Sequence, residues 1–394
     1  MQSQNRFRRL KKVLTIAVSI AVFLVILAGL QRLLQPKYAT DVPEGNFTAE
    51  YYEETTDHDV LIVGDCEVYE NIDPIYLWKN YGITSYIRGN AQQLTWQSYY
   101  MLEDALQYET PKVVVFNVEA LTYDKPQREE YNRMVLDGMR WSETKYHAIQ
   151  SSRCEGEKML DYIFPILRYH SRILDLSKED FTYFWNRKKV SHNGYYMRID
   201  VLPVSESDVA DPSWLLGDEE EVEEIDDPWG DIAGAEEETG DVDIAEERDQ
   251  GEPFGDLPME YLDKIREICE ANNIRLILMK APSLAPVWYD SDEEQVKKYA
   301  QDHRLPYINF YEHLEETGID YETDTYDGGL HMNLSGADKV SEYLGRVLTE
   351  EYGLADHRED SPYKEVYREK EKFYEEMIRA QQEELDQYGE IRSY

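Results

Sequence analysis

Four groups of side chains capable of chemistry fall where an apolar run of the sequence ends or just before a predicted helix. In chain order they are Gly64-Asp65-Cys66, Gly89-Asn90, Asn117, and Asp327 with His331. A thiol beside a histidine can become a thiolate, which is the effective nucleophile for acyl transfer through a thioester. A carboxylate can fix the tautomer of that histidine, and N–H donors can stabilise the oxyanion that forms. This order of residues predicts a nucleophile, two oxyanion donors, an acid and a base.

Cys66 is the candidate nucleophile, and His331 is the candidate base that would take its proton and later protonate the leaving alcohol. Asp327 and Asp324 compete for the role of the acid that orients the imidazole ring. Each residue also has a structural alternative. A cysteine after a strand is a common small packing residue, and a histidine between a Gly-Gly turn and a helix can simply cap that helix. A thiol redox protein is disfavoured, because no second cysteine lies close to Cys66 in sequence.

The candidate oxyanion donors are the backbone N–H of Gly89 and the side-chain amide of Asn117, with the backbone N–H of Cys66 as a third. Asn117 could instead hydrogen-bond a neighbouring loop, and Glu119 would face the same way. Further polar residues lie near strand ends and are candidates for substrate binding: Asp65, Arg88, Asn90 and Lys280.

Apolar runs alternate with helix-like stretches along the chain, which is typical of a parallel α/β sheet. The predicted strands are 60–64, 85–88, 112–118, 275–280 and 307–310. The predicted helices run from Asp73-Pro74 through residue 78, from near residue 92, and over 257–272, 292–301 and 335–348. Ligands bind at the carboxyl ends of the strands in such sheets, which is where the candidate residues fall. We therefore expect one large α/β domain whose two halves share a parallel sheet.

The order and placement of these residues resemble the SGNH/GDSL hydrolase family. Gly64-Asp65-Cys66 resembles its Gly-Asp-Ser block with cysteine in place of serine, Gly89 its second block and Asn117 its third. DGGLH at 327–331 is similar to its last block, Asp-x-x-His, with one extra residue. The segments SYIRGNAQQ and DGGLHMNLSGA also resemble membrane-anchored, uncharacterised SGNH-like proteins of Gram-positive bacteria.

The resemblance covers roughly residues 58–123 and 256–350. It implies an α/β fold of three layers with a flavodoxin-like parallel sheet, and an esterase or O-acyltransferase acting on acyl groups of cell-envelope glycans. No Cys/His spacing suggests zinc, and we expect neither a metal nor a cofactor. The alternative, motivated by the cysteine and by the altered third block FNVE, is a catalytically inactive fold that binds envelope glycans or scaffolds partner proteins.

The charge of the chain excludes one class of partner and its distribution suggests another. The net charge of −40 argues against nucleic-acid binding, which needs clustered Lys and Arg. The first twelve residues carry five basic side chains and no acid, and an apolar run follows over 13–30. This pattern predicts a single-pass membrane anchor with a cytoplasmic N-terminus and an extracellular remainder. A cleaved signal peptide is the rival interpretation.

These features divide the chain into segments: 1–35, basic segment and anchor; 36–125 and 255–354, the two halves of the α/β domain; 126–204, a helical cap; 205–254, an acidic insertion; 355–394, a charged helix. The acidic insertion shows neither helical nor strand periodicity and is expected to be a disordered surface insertion. A calcium site is the alternative for this insertion, because carboxylates are calcium ligands, but the sequence lacks a D-x-D-x-D-G loop. The charged helix is expected to dock on the domain or to mediate self-association.

Overall fold

The computed structural model describes residues 2–37, 47–126, 128–183, 185, 189–204, 251–284 and 287–392. The predicted acidic insertion therefore lies outside the described residues, apart from 251–254.

Five strands form one parallel sheet at the positions that the apolar runs predict. They are β1 (Val60–Gly64), β2 (Ser85–Gly89), β3 (Val113–Asn117), β4 (Arg275–Lys280) and β5 (Tyr307–Asn309). Their order in the sheet is β2-β1-β3-β4-β5. This is the flavodoxin-like order, so the predicted fold class is confirmed.

Helices and loops connect the strands, and further helices precede and follow the sheet in the described part of the chain. The α-helices are α1 (Gln2–Leu34), α2 (Phe47–Glu50), α3 (Cys66–Asn71), α4 (Pro74–Tyr81), α5 (Thr95–Ala105), α6 (Glu129–Leu136), α7 (Glu143–Ser152), α8 (Met159–Ile163), α9 (Ile166–Tyr169), α10 (Lys178–Thr182), α11 (Asp256–Ala271), α12 (Asp290–His303), α13 (Leu314–Thr317), α14 (Leu334–Glu350) and α15 (Tyr363–Tyr388). Short 3₁₀ helices cover Tyr51–Glu53, Val118–Thr122, His170–Leu174 and Phe310–His313.

The sheet lies between two layers of helices. Side chains at successive strand positions point to opposite faces. Val60 and Ile62 belong to a core shared with α3, α4, α14 and α15, whereas Leu61 and Val63 belong to a core shared with α5, α11 and α12. The continuous apolar runs of the strands are thus explained by burial on both faces.

Capping side chains begin several of these helices where the sequence suggests. The Asp73 carboxylate accepts hydrogen bonds from the backbone N–H of Ile75 and Tyr76, and Pro74 occupies the first helical position of α4. Asn333 accepts from the backbone N–H of Gly336 at the start of α14. The predicted starts of both helices follow from this chemistry.

The helix α3 is absent from the sequence-based expectation, which ends the first strand in a turn. Its six residues, CEVYEN, show no helical apolar period. Asp65 caps it by accepting a hydrogen bond from the backbone N–H of Glu67 at 3.3 Å. Cys66 is therefore the first residue of a helix.

The N-terminal helix α1 is long and apolar. Its segment Arg6–Leu34 is long enough and apolar enough to cross a membrane, with a mean hydropathy of 2.9 in its most apolar window. A signal anchor and a signal peptide both have this property.

The C-terminal helix α15 docks on the domain. The Tyr367 ring stacks on Trp78 with 4.1 Å between centroids, and the Tyr374 hydroxyl donates to the Asp73 carboxylate. Gln381 donates from Nε2 to the Met197 carbonyl at 2.8 Å. Docking was one of the two alternatives for this helix, and self-association stays untested.

Candidate active site

Cys66, His331 and Asp327 lie together at the carboxyl end of the sheet. The half-buried Cys66 thiol and the His331 ring lie close enough for each to shift the pKa of the other. Burial raises the pKa of the thiol to about 12, although the neighbouring His331 opposes this shift. Burial thus favours the protonated thiol in the resting site.

Asp327 holds the His331 ring and its backbone. The carboxylate Oδ2 lies 2.6 Å from His331 Nδ1, and Oδ1 accepts from the His331 backbone N–H at 2.8 Å. These contacts leave Nε2 as the ring nitrogen available to Cys66. Between the two residues, Gly328 and Gly329 have φ angles of +79° and +90°, which favour glycine and allow the chain to turn back on itself.

A second carboxylate, Glu70, also reaches the His331 ring. Its Oε2 lies 3.4 Å from Nδ1 and accepts a hydrogen bond from the Tyr326 hydroxyl. Burial alone would lower the pKa of His331, but Glu70, Cys66 and Asp327 together raise it well above the ordinary value. The structure thus stabilises an imidazolium at this position.

Asp324 does not take part in this arrangement. Its buried carboxylate pairs with Lys339 of α14 and accepts from the Asp320 backbone N–H at 2.7 Å. Asp327 is therefore the one of the two competing aspartates that contacts His331. The role of Asp324 is to tie the loop before α14 to that helix.

Asn117 is engaged with two carboxylates. Its Nδ2 donates to Asp65 Oδ1 at 3.1 Å and to Glu67 Oε2 at 2.8 Å, while its Oδ1 accepts from the Ala281 backbone N–H at 3.2 Å. Both amide hydrogens are used in these bonds. The predicted oxyanion donor is thus not free to bind a substrate oxygen in this arrangement.

Lys280 lies at the centre of the same buried polar cluster. Its ammonium is 3.0 Å from Glu67 Oε1 and 3.0 Å from Glu119 Oε2. Burial would lower the pKa of Lys280, but these carboxylates raise it well above the ordinary value. Its predicted role in substrate binding is not supported by this position, because the side chain is fully buried.

One lysine faces three carboxyl groups in this cluster, and the excess of negative charge affects two of them. Burial raises the pKa of Asp65, and the negative charge of the neighbouring Glu67 raises it further. Burial likewise raises the pKa of Glu119, although Lys280 opposes the shift. Among the described residues, no group hydrogen-bonds to the buried Asp65 Oδ2. The raised pKa values of Asp65 and Glu119 mean that these carboxyl groups hold a proton more readily than exposed ones do.

Arg88 and Asn90 lie outside the site. Arg88 donates from Nη1 to Asp104 Oδ2 and to the Met101 carbonyl, both at 2.9 Å, on the face of the sheet that α5 covers. Asn90 is buried and donates to Gln93 Oε1 at 3.0 Å. Both predicted substrate-binding residues are therefore held within the fold.

Gly89 is placed where only a glycine fits. A Cβ at this position would lie 2.5 Å from Val68 Cγ2 and 2.9 Å from the Asp65 carbonyl oxygen. Gly89 is paired with Gly64 across β1 and β2. The glycine thus allows α3 and its Cys66 to approach the end of β2.

The sequence interpretation missed Glu70, Tyr326 and Glu67. Glu70 follows Cys66 by four residues, a spacing that places two side chains on the same face of a helix. Recognition of α3 would therefore have indicated Glu70, and Tyr326 directly precedes Asp327. Glu67 had no such signal, since its partners come from β3 and β4.

The side chains of Glu70, Asp327 and His331 also have the composition of a metal site. Their candidate ligand atoms lie within 4.8 Å of one another. However, the 2.6 Å separation of His331 Nδ1 from Asp327 Oδ2 is that of a hydrogen bond. Two ligands of one zinc ion, each about 2 Å from it, would stand farther apart. The arrangement therefore fits an oriented histidine better than a metal centre.

No protein-family model matches the chain, and no curated protein matches it. Among solved structures, it is similar to one described as a "putative acylhydrolase" from Bacteroides fragilis NCTC 9343. The two share 12% identity with a TM-score of 0.33, over 77% of this chain and 94% of that one. The fold is defined by the order of the strands in the sheet, independently of this likeness.

Proposed function

We propose that this protein is an SGNH-like acyl-ester hydrolase or O-acyltransferase in which Cys66 is the nucleophile. One observation carries the proposal: His331 Nδ1 is held 2.6 Å from Asp327 Oδ2, and the His331 ring lies near enough to Cys66 to lower the pKa of its thiol. A thiol, an imidazole and a carboxylate are the groups that covalent acyl transfer uses as nucleophile, base and orienting acid, which supports the proposal.

The reaction begins from the neutral ring, which predominates above the raised pKa of His331. His331 takes the proton of Cys66, and the thiolate sulfur attacks the carbonyl carbon of an ester. The bond to the leaving oxygen then breaks, and the imidazolium of His331 gives its proton to the leaving alcohol. Water, or an acceptor hydroxyl, attacks the resulting thioester after losing its proton to His331. The acid or the new ester leaves, and the thiol of Cys66 receives the proton back. Asp327 keeps Nε2 directed at sulfur throughout.

Acyl groups of cell-envelope glycans are the proposed substrates, and the proposed location is outside the membrane. The first turns of α1 carry basic residues, and the rest of the helix is apolar. This supports the placement, because basic residues that flank a membrane span stay on the cytoplasmic side. The same helix would hold the site near envelope polymers.

Turnover of p-nitrophenyl acetate by the full chain in detergent tests the proposal. Release of p-nitrophenol and the intact mass of the protein would be followed for wild type, Cys66→Ala and His331→Gln. In the wild type we expect an acetyl group on Cys66. In both variants we expect the rate of p-nitrophenol release to be at least about 100-fold lower, as for loss of a general base.

Cys154→Ala provides the matched control. Cys154 is also a half-buried thiol whose pKa is raised by burial, but its neighbours are Glu157 and Asn132 rather than a histidine. Its removal should leave the rate unchanged. Equal rates in wild type and Cys66→Ala would contradict the proposal.

A catalytically inactive glycan-binding or scaffolding domain is the second candidate. Two observations favour it: Asn117 has both amide hydrogens engaged by Asp65 and Glu67, and Cys66 packs against the core shared by α3 and α14. The absence of acetyl transfer to Cys66 in the assay above, with the protein folded, would support this alternative.

A further inference from the structure

Seven large apolar side chains are exposed on the cap between residues 160 and 181. We name them the apolar patch: Leu160, Ile163, Phe164, Leu167, Ile173, Leu174 and Phe181. Leu174 is 88% exposed. So many exposed apolar side chains within one short segment are typical of an interaction site.

The apolar side chains of this segment point to solvent. Leu160 and Ile163 of α8, Phe164 between the two helices and Leu167 of α9 are all exposed. Tyr162 and Tyr169 of the same two helices are instead buried around Arg133. The apolar face of this segment is therefore directed away from the protein core.

The segment that carries the patch is fixed to the end of α1. Arg172 donates from Nη1 to the Leu34 carbonyl at 2.6 Å, and Lys37 lies 3.8 Å from Asp180. Helices α9 and α10 and the intervening 3₁₀ helix all contact α1. Leu34 itself is buried by these contacts.

The position of Leu34 along α1 gives the depth of this contact. The continuous apolar run ends at Leu30, and four helical residues rise about 6 Å. A bilayer spanned by that run would have its headgroup layer at the level of Leu34. The segment that carries the apolar patch contacts α1 at this depth, through Arg172 and the Leu34 carbonyl.

The charge of the segment also differs from that of the chain. Residues 158–189 include seven Lys or Arg and four Asp or Glu, whereas the whole chain has 41 and 81. Basic residues flanking exposed apolar side chains are typical of proteins that lie in the membrane interface.

We propose that the apolar patch inserts into the headgroup region of the bilayer that α1 enters. The cap then forms a second membrane contact, and it fixes the orientation of the α/β domain relative to the lipid surface. This contact does not depend on the chemistry of Cys66.

Photo-crosslinking of the full chain in liposomes of phosphatidylcholine and phosphatidylglycerol tests the proposal. p-Benzoylphenylalanine would replace Phe164 or Leu174 and, as a control, Tyr388, an exposed aromatic residue of α15. After irradiation, mass spectrometry would identify lipid or protein adducts on the labelled peptides. We expect lipid adducts at 164 and 174, several-fold above those at 388.

A second variant separates lipid contact from folding. Leu167→Glu should reduce the lipid adduct at 174 several-fold and leave thermal unfolding in detergent unchanged, since Leu167 is exposed. Equal lipid labelling at all three positions, or no lipid adduct at 164 and 174, would overturn the proposal. Crosslinked dimers at 164 and 174 would instead assign the patch to a second copy of this chain.

Discussion

His331 lies between Asp327 and Glu70, and this pair of carboxylates distinguishes the site from a simple triad. A histidine held by one carboxylate keeps its tautomer, whereas a second negative group also stabilises the charged ring. A raised folded-state pKa means that the charged His331 contributes stability at low pH, and that this contribution is lost as pH rises through that pKa. The reactive form of Cys66 should accordingly become accessible only above neutral pH.

Glu70→Gln should shift the reactivity of Cys66 to lower pH. The substitution removes one of the negative charges that raise the pKa of His331, so the Cys66–His331 pair loses its proton more readily. The rate of Cys66 alkylation by iodoacetamide between pH 6 and pH 10, followed by peptide mass spectrometry, measures the shift. Glu143→Gln, at an exposed carboxylate, is the control. Superimposable profiles for Glu70→Gln and wild type would contradict this account.

Lys280→Met should destabilise the fold strongly. Lys280 is the cation that faces Glu67 and Glu119, and removing one partner of a buried ion pair costs about 3–5 kcal/mol. The loss should be smaller at pH 5 than at pH 9, because the carboxyl groups with raised pKa values can take up protons. Urea unfolding at both pH values measures it.

Lys297→Met is the matched control for this prediction. Lys297 also faces two carboxylates, Glu293 and Glu312, but on the surface, where an ion pair contributes about 0–1 kcal/mol. A loss in Lys280→Met no larger than that in Lys297→Met would show that the buried cluster is not held by its lysine.

At the scale of elements, α3 determines where the thiol lies. The helix α3 packs so closely on the end of β2 that no side chain fits there, and Gly89 has none. A motif of glycines at strand ends is readable from sequence, but the helix itself was not, because six residues with two acids give no period. This is why Cys66 was predicted as a site residue while Glu70 was missed.

Gly89→Ala should destabilise the protein by about 1–3 kcal/mol, as expected for overpacking, and should lower the alkylation rate of Cys66 by displacing α3. Thermal unfolding and peptide mass spectrometry measure the two effects. Val68→Ala in the same chain removes Cγ2, the atom nearest to the new Cβ, so the double variant should lose less than the sum of the single ones. Strict additivity would indicate that Val68 is not the obstacle.

Tyr367→Ala should detach the C-terminal helix locally. The fully buried ring stacks on Trp78, and its hydroxyl accepts from Asn193 Nδ2 at 3.1 Å. Removal of a buried aromatic side chain costs about 3–5 kcal/mol. The free energy of unfolding in urea gives this value.

Tyr388→Ala, at an exposed position of the same helix, is its control and should lie within about 0.5 kcal/mol of wild type. Similar losses in the two variants would mean that α15 does not contribute through its buried face.

For the whole molecule, the strand order and the three layers could be predicted, because apolar runs and helix caps are local signals. The contacts that close the site could not. Asn117 contacts Glu67 and the Ala281 backbone, and Lys280 contacts Glu119, so these partners come from segments far apart in sequence. Their pairing follows from strand register, which the sequence does not display.

The cap is a further case in which the sequence predicted the helices but not the contacts that they and the following residues make. Its helical character was predicted from residues 126–204, and α6 to α10 occupy 129–182. Residues 189–204, the last part of the predicted cap, cover the edge of the sheet, where the backbone N–H of Ile87 donates to the Asn193 carbonyl at 2.9 Å. An edge strand without such cover would be open to pairing with another chain.

The parallel pairing of β3 with β4 joins residues 113–117 to residues 275–279. Contacts of such sequence separation form late, since the intervening chain must first be ordered. During synthesis, β1, β2 and β3 leave the ribosome long before their neighbour β4, and Cys66 long before His331. The thiol therefore spends this period without the histidine proposed as its base, so the proposed acyl transfer has to wait until the segment that carries His331 has been made.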